Sequence, residues 1–286
     1  MTRHLVVGDM HVVRSELKEC NKMIEFIKSI LDSDPTIEIL DFMGDQTNNH
    51  SSIDAYVMDF WQKSLEWLIA RSREKTPLYI NLLVGNHDMA NPKDASTVNS
   101  MELLESKRNG IHVISRPTHK YGILYVPYTH NIDSFVQVCK NYPKTPTVFC
   151  HQSFNGAKYE NGFPIQDGVE VNLIPQSKVI SGHIHNFTKL GKIVYVGSPR
   201  WRTILDANQP KGVHIVDVND NGMVIDFQTR PTDNVVTPIY AFMDTEEDPV
   251  FEDALPKSGT IFIDVYGSYA YVNERKKSFP KHYKIR

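Results

Sequence analysis

Aspartate, histidine and asparagine recur in five short motifs: Gly8-Asp9-Met10-His11, Gly44-Asp45-Gln46, Gly85-Asn86-His87-Asp88, Cys150-His151-Gln152 and Gly182-His183-Ile184-His185. Each follows a short apolar run that reads as a strand, so each polar cluster falls at a strand's end. Together they supply enough oxygen and nitrogen ligands for two metal ions. Paired ions about 3.5–4 Å apart activate water and offset charge at phosphorus, so hydrolysis of phosphate esters is the expected chemistry.

Spacing refines that expectation. Asp9 and His11 lie two apart. In extended chain both point to one face and can hold one ion together. Asp45 ends the next strand; its carboxylate can reach the same ion and bridge to a second. Asn86 offers a neutral amide oxygen. His87 beside it could face the substrate rather than the metals. Asp88 could hydrogen-bond His87, fix its tautomer and favour its protonated form. His183 and His185 repeat the spacing of Asp9 and His11, and each could serve a different ion. His151 alone would read as structural; it matters because the site lacks one nitrogen ligand. Any one of these motifs could be a turn or a polar loop. Their joint occurrence at strand ends is the signal.

The elements that must position them can be read from periodicity. The spacing predicts strands over His4–Val7, Ile37–Met43 and Leu78–Val84, alternating with helices over Val12–Leu31 and Ile53–Ser72. Strand–helix alternation of this kind indicates a layered α/β domain, with its site at the carboxyl ends of parallel strands. The second half is richer in strands, expected over Ile123–Val126, Thr147–Phe149, Lys178–Ser181, Ile193–Val196, Val213–Val218 and Met223–Thr229. The last two flank a hairpin turn at Asn219-Asp220-Asn221-Gly222. A boundary is expected near Arg230-Pro231, giving a main domain over 1–230 and a small α+β appendage over 231–286. In the appendage, strands are expected over Val235–Phe242 and Thr260–Tyr266, with an acidic segment from Asp244 to Asp253 and a basic tail.

At 286 residues and 41% hydrophobic, the chain can bury a sizeable core. Its formal charge of −3 does not suit a globally basic nucleic-acid binder. Three cysteines (Cys20, Cys139, Cys150) make no disulfide framework. With no signal peptide read at the N-terminus, a cytoplasmic location is expected. No apolar run approaches the roughly 18 residues of a membrane span.

The order Asp-x-His, Gly-Asp, Gly-Asn-His-Asp, His and Gly-His-x-His, over about residues 4–200, resembles the calcineurin-like metallophosphoesterases. The resemblance implies a two-sheet α/β sandwich flanked by helices. It implies one ion on Asp9, His11, Asp45 and His185, and a second on Asn86, His151, His183 and the shared Asp45. His87 then matches a catalytic histidine that binds no metal. A metal-bridged hydroxide is the implied nucleophile, with His87 stabilising charge or protonating the leaving oxygen. Mixed nitrogen and oxygen ligation without cysteine suits manganese, iron or zinc better than calcium. Magnesium also remains open, and the resemblance favours manganese.

Gly44-Asp45 is followed by Gln46-Thr47-Asn48-Asn49, unlike the Gly-Asp-x-x-Asp-Arg-Gly of protein phosphatases. Three features are similar to the nuclease branch, the SbcD-like catalytic subunits of recombination and repair. They are Val196-Gly197-Ser198-Pro199-Arg200, then Lys211-Gly212 before a strand, and an appendage after Arg230-Pro231 where those nucleases carry a DNA-capping domain. The branch implies DNA as the partner, exonuclease or endonuclease action, a possible homodimer and an SbcC-like ATPase partner, although no docking helix for that ATPase is recognisable. Asn48 stands where that branch usually has Asp or His, and His50 lies near without a clear register. Arg200 is the expected contact to the substrate backbone. In the tail, Arg275, Lys276, Lys277, Lys281, Lys284 and Arg286 could bind phosphates or form a solvated chain end. A small-molecule phosphodiesterase acting on nucleotides would use the same catalytic residues. A metal-free scaffold would have lost ligands, and none is missing.

Overall fold

The computed structural model describes residues 1–50, 52–72, 77–93 and 98–286. Two six-stranded mixed sheets form its centre. The first contains β1 (Thr2–Val7), β2 (Ile39–Phe42), β3 (Tyr79–Leu83), β4 (Ile111–Ile114), β11 (Gly212–Val218) and β12 (Val224–Pro231), in the order β12-β11-β1-β2-β3-β4. The second contains β5 (Thr118–Lys120), β6 (Ile123–Val126), β7 (Thr147–His151), β8 (Lys178–Gly182), β9 (Thr188–Leu190) and β10 (Ile193–Tyr195), in the order β5-β6-β7-β8-β10-β9. β1 through β4 run parallel, as do β6, β7, β8 and β10. Antiparallel strands extend both sheets.

The sheets stack through Val6, Met43, Leu83, Tyr125, Phe149, Ile180 and Val216, all buried. The outer face of the first sheet is covered by α1 (Leu17–Ser33) and α2 (Ala55–Ser72). α1 turns Cys20, Met23, Ile24, Ile27, Ile30 and Leu31 inward, the spacing of one helical face. α3 (Ile132–Asn141) covers the second sheet with Phe135, Val136 and Cys139. The result is a two-sheet α/β sandwich. Among the described residues no helix is long and apolar enough to cross a membrane.

The first helix starts later than periodicity suggests. Its expected opening is instead a 3-10 turn at Arg14–Glu16. His11 and Val12 continue alongside the second strand's exit: His11 N–H donates to Asp45 O at 2.8 Å and Val12 N–H to Gln46 O at 2.9 Å. Tertiary pairing overrides helical spacing there. α3 and the short strands β4, β5 and β9 were not expected. α3 has a readable start, since the Asn131 side chain accepts from Ser134 N–H. The Asn219–Gly222 hairpin forms between β11 and β12, with Met223 N–H bonded to the Asn219 side chain.

A separate three-stranded parallel sheet follows, built from β13 (Ile239–Thr245), β14 (Thr260–Tyr266) and β15 (Lys284–Ile285), with α4 (Tyr269–Ser278) packed on it. β13 begins later than expected because Val235 and Val236 donate their N–H groups to Thr232 O and Val236 joins the main core. The basic tail folds onto this sheet, although Lys276, Lys277, Lys281 and Lys284 remain exposed. Arg275 pairs with buried Asp244 at 2.7 Å, Arg286 with Asp264 at 2.6 Å, and Phe279 is buried.

Candidate metal centre

Every expected ligand leaves the carboxyl end of a parallel strand. Asp9 and His11 follow β1, Asp45 follows β2 and Asn86 follows β3, while His151 ends β7 and His183 and His185 follow β8. Stacking the sheets brings these ends to one place. Among the described residues, three groups of side chains there could hold a metal ion: Asp9 with His11 and His185; His11 with Asp45 and His87; and Asp45 with His151 and His183. Within each group the ligand atoms lie within 4.8 Å of one another. Asp45 Oδ2 stands between two histidines, 3.5 Å from His11 Nε2 and 3.3 Å from His151 Nε2.

The donor and acceptor pattern fits a cation. His151 Nδ1–H donates to Met43 O at 2.8 Å, so in the neutral imidazole, the form that ligates, Nε2 is the bare acceptor. That Nε2 faces Asn86 Oδ1 at 3.1 Å, Asp45 Oδ2 at 3.3 Å and His183 Nδ1 at 3.3 Å. His183 Nδ1 lies 2.8 Å from the same Asn86 oxygen. Acceptors therefore crowd around one point with few protons to share. Nearby, the Nε2 atoms of His11 and His185 face each other at 2.9 Å, and buried His11 Nδ1 has no hydrogen-bond partner among the described residues.

Electrostatics point the same way. Burial disfavours a charged His151, yet the carboxylates of Asp45 and Asp9 outweigh it and raise the imidazole to about 9. Burial alone would raise Asp45, but His151 beside it holds its carboxyl well below the usual range. Burial raises Asp9, and the Asp45 charge adds to the rise. Burial and the positive field of His151 lower His183 to about 3. Burial likewise lowers His11 and His185. The protein alone thus places a proton on His151 and keeps His11, His183 and His185 neutral. A divalent cation answers the same need for positive charge, and neutral imidazoles are the form that ligates.

His11, Asp45 and His183 have φ of +43°, +52° and +84°. Such left-handed backbones in non-glycine residues cost about 1–3 kcal/mol each and cluster at functional sites. Close approach explains one motif glycine: a Cβ on Gly85 would lie 2.2 Å from Asp45 Oδ1.

Two expected contacts are corrected. Asp88 does not orient the His87 ring. Its Oδ1 accepts from Thr47 N–H at 2.9 Å and its Oδ2 from Gly85 N–H at 3.0 Å, so it ties the Asp45 and Asn86 loops together. Burial raises Asp88 to about 7. The His87 ring donates Nδ1–H to Asn48 O at 3.3 Å, and burial lowers its pKa rather than favouring the charged form. Arg200 does not face an open groove. Its side chain is only 2% exposed and is held by Glu16 at 2.7 Å, Met10 O at 3.1 Å and His11 O at 2.9 Å.

The structure also shows residues that spacing did not select. His50 stacks on His87 with ring centroids 4.3 Å apart and lies 2.9 Å from Asn86 O through Nδ1. It is exposed at the mouth of the site. Glu160 accepts the His185 N–H at 2.7 Å. Tyr128 lies over His183, with centroids 5.7 Å apart. The His50 imidazole was visible in sequence but had no register; Glu160 and Tyr128 carried no local signal.

A mixed α/β sandwich with clustered imidazoles and carboxylates at its strand ends defines a protein able to bind metal. No family model matches the chain. The chain is similar to exonuclease subunit 1 of Enterobacteria phage T4, 24% identical over 156 residues, a match covering 52% of this chain and 45% of that protein. The matched region therefore spans less than half of the relative's length.

Proposed function

We propose that this chain is a nuclease that hydrolyses phosphodiester bonds in DNA with two divalent metal ions. The observation that carries the reading is the acceptor-rich cluster around Asp45, which joins side chains from both sheets. The phage relative, an exonuclease subunit, favours a nucleic acid over a small diester. Asp9, His11, Asp45 and His185 would hold one ion; Asn86, His151, His183 and the shared Asp45 would hold the other. Manganese is the proposed metal. When bound, the ions acidify water near neutral pH and offset charge building on the phosphoryl oxygens.

The chain's own groups do the rest. Asp88 keeps the Asp45 and Asn86 loops in register through two N–H groups. The Asn48 carbonyl holds the Nδ1 proton of His87 and so leaves Nε2 directed at other partners. With the substrate's negative charge beside it to draw a proton onto Nε2, His87 would stabilise charge on the phosphoryl group or pass that proton to the leaving oxygen. His50, stacked on His87, limits how far that ring can turn.

The test is hydrolysis of labelled duplex and single-stranded DNA with manganese, beside a small phosphodiester. DNA cleavage that is lost with chelator and restored by manganese is expected. Turnover of the small diester with every DNA form left intact would replace this reading with a small-molecule phosphodiesterase.

A further inference from the structure

Two buried cations lie behind the metal centre without facing it. Arg200 sends Nε to Met10 O at 3.1 Å and Nη2 to His11 O at 2.9 Å, while Nη1 pairs with Glu16 at 2.7 Å. The Lys211 side chain, 0% exposed, sends Nζ to His185 O at 2.9 Å, Ser198 Oγ at 2.9 Å and Asp206 Oδ1 at 2.6 Å. Ser198 joins the two arrangements. Its Oγ donates to Arg200 O at 3.0 Å, and its N–H donates to His185 O at 3.0 Å. The peptide of His185 is thus gripped at both ends, by Glu160 at N–H and by Lys211 and Ser198 at C=O.

We infer that Arg200 and Lys211 are positioning residues for one half of the metal centre, each clamping the main-chain carbonyl of a histidine that serves the same ion. The inference rests on the proposed two-ion reading. His11 and His185 are 174 positions apart and meet at 2.9 Å through Nε2. His11 also sits in the left-handed region at φ +43°. A backbone that local preference does not favour needs outside contacts to hold it. Charge-assisted hydrogen bonds are the stronger kind, and a guanidinium can serve several oxygens in fixed geometry. Partners Glu16 and Asp206 balance each buried cation, so the clamps add rigidity without leaving an unpaired charge. No corresponding cation reaches the carbonyls of His151 or His183 among the described contacts; Met43 O and Asn86 Oδ1 orient those rings directly. The two halves of the centre are therefore supported differently, and the difference can be measured.

The experiment titrates full-length protein with manganese, following stoichiometry by calorimetry and ion–ion coupling by electron paramagnetic resonance. Lys211→Met alone leaves the buried Asp206 carboxylate unpaired, so Lys211→Met/Asp206→Asn is the working variant, with Arg200→Met beside it and Arg200→Lys as the conservative rescue. Urea midpoints are recorded for all. Outer contacts to a ligand typically change metal affinity by about 10–100-fold. The expected result is that loss at one ion only, with the other bound as in the parent and the coupled spectrum replaced by that of a single ion. Arg200→Lys should recover part of it. Two ions bound with parental affinity by the folded variants would overturn the clamps, as would equal weakening of both ions in step with the urea midpoint. A parent protein that binds no manganese would overturn the two-ion reading itself, and the clamps with it.

Discussion

Asp45→Asn is the sharpest perturbation of the proposed centre, because one oxygen stands between both histidine groups at 3.5 and 3.3 Å. The substitution removes a charge and little volume. Unit charges about 4 Å apart interact by about 4 kcal/mol at the effective dielectric of a protein site. At about 1.4 kcal/mol per tenfold, affinity at both positions should fall by roughly three powers of ten. Calorimetric titration with manganese at neutral pH measures it. The metal-free protein provides a second readout. The rise of His151 from 6.5 to about 9 depends chiefly on Asp45 and corresponds to about 3 kcal/mol. A histidine raised above its unfolded value contributes stability that is complete below about 6.5 and is lost as pH rises through about 9. Without Asp45 most of that contribution disappears. In chelator, the stability gap between parent and Asp45→Asn should be widest near pH 6 and narrow by pH 10 in urea unfolding. A gap that is flat with pH would refute the electrostatic reasoning. Weakening at one ion alone would refute the bridge.

His87→Ala should keep both ions, since Asp9, His11, Asp45, Asn86, His151, His183 and His185 remain, and lower turnover by about 10²–10⁴-fold; parental turnover with metal bound would show that another group does its work. Gly85→Ala forces a methyl to within 2.2 Å of Asp45 Oδ1 and 2.3 Å of Asp45 N. Overpacking of that kind costs about 1–3 kcal/mol, so the urea midpoint and manganese affinity should fall together; an unchanged affinity would mean that Asp45 can shift without consequence.

The strand-end placement of the motifs was legible because short continuous apolar runs and helical spacing are local properties. β6 and β14 match their expected limits, and β1, β2, β3, β7 and β8 differ only at their ends. Local pattern failed where another part of the chain intervened. Val12 reads as helix but pairs with Thr47. α3 follows a single Asn131 cap and runs for only 10 residues with three of them buried, too short a stripe to stand out. Arg275 and Arg286 read as phosphate contacts or solvated tail charges; the structure pairs them with Asp244 and Asp264.

By itself the sequence determined the candidate ligands' types, their order and their positions at strand ends, and those follow from residue chemistry and local periodicity. Only the tertiary structure decided what each polar group touches. It spent Asp88 on Thr47 and Gly85 backbone instead of on His87, buried Arg200 behind His11, and stacked His50 on His87. These contacts join residues far apart in sequence, and they exist only once two sheets stack and their carboxyl ends converge. A buried hydrogen-bond group must find a partner wherever the packed chain places one, and no local pattern records which partner that is.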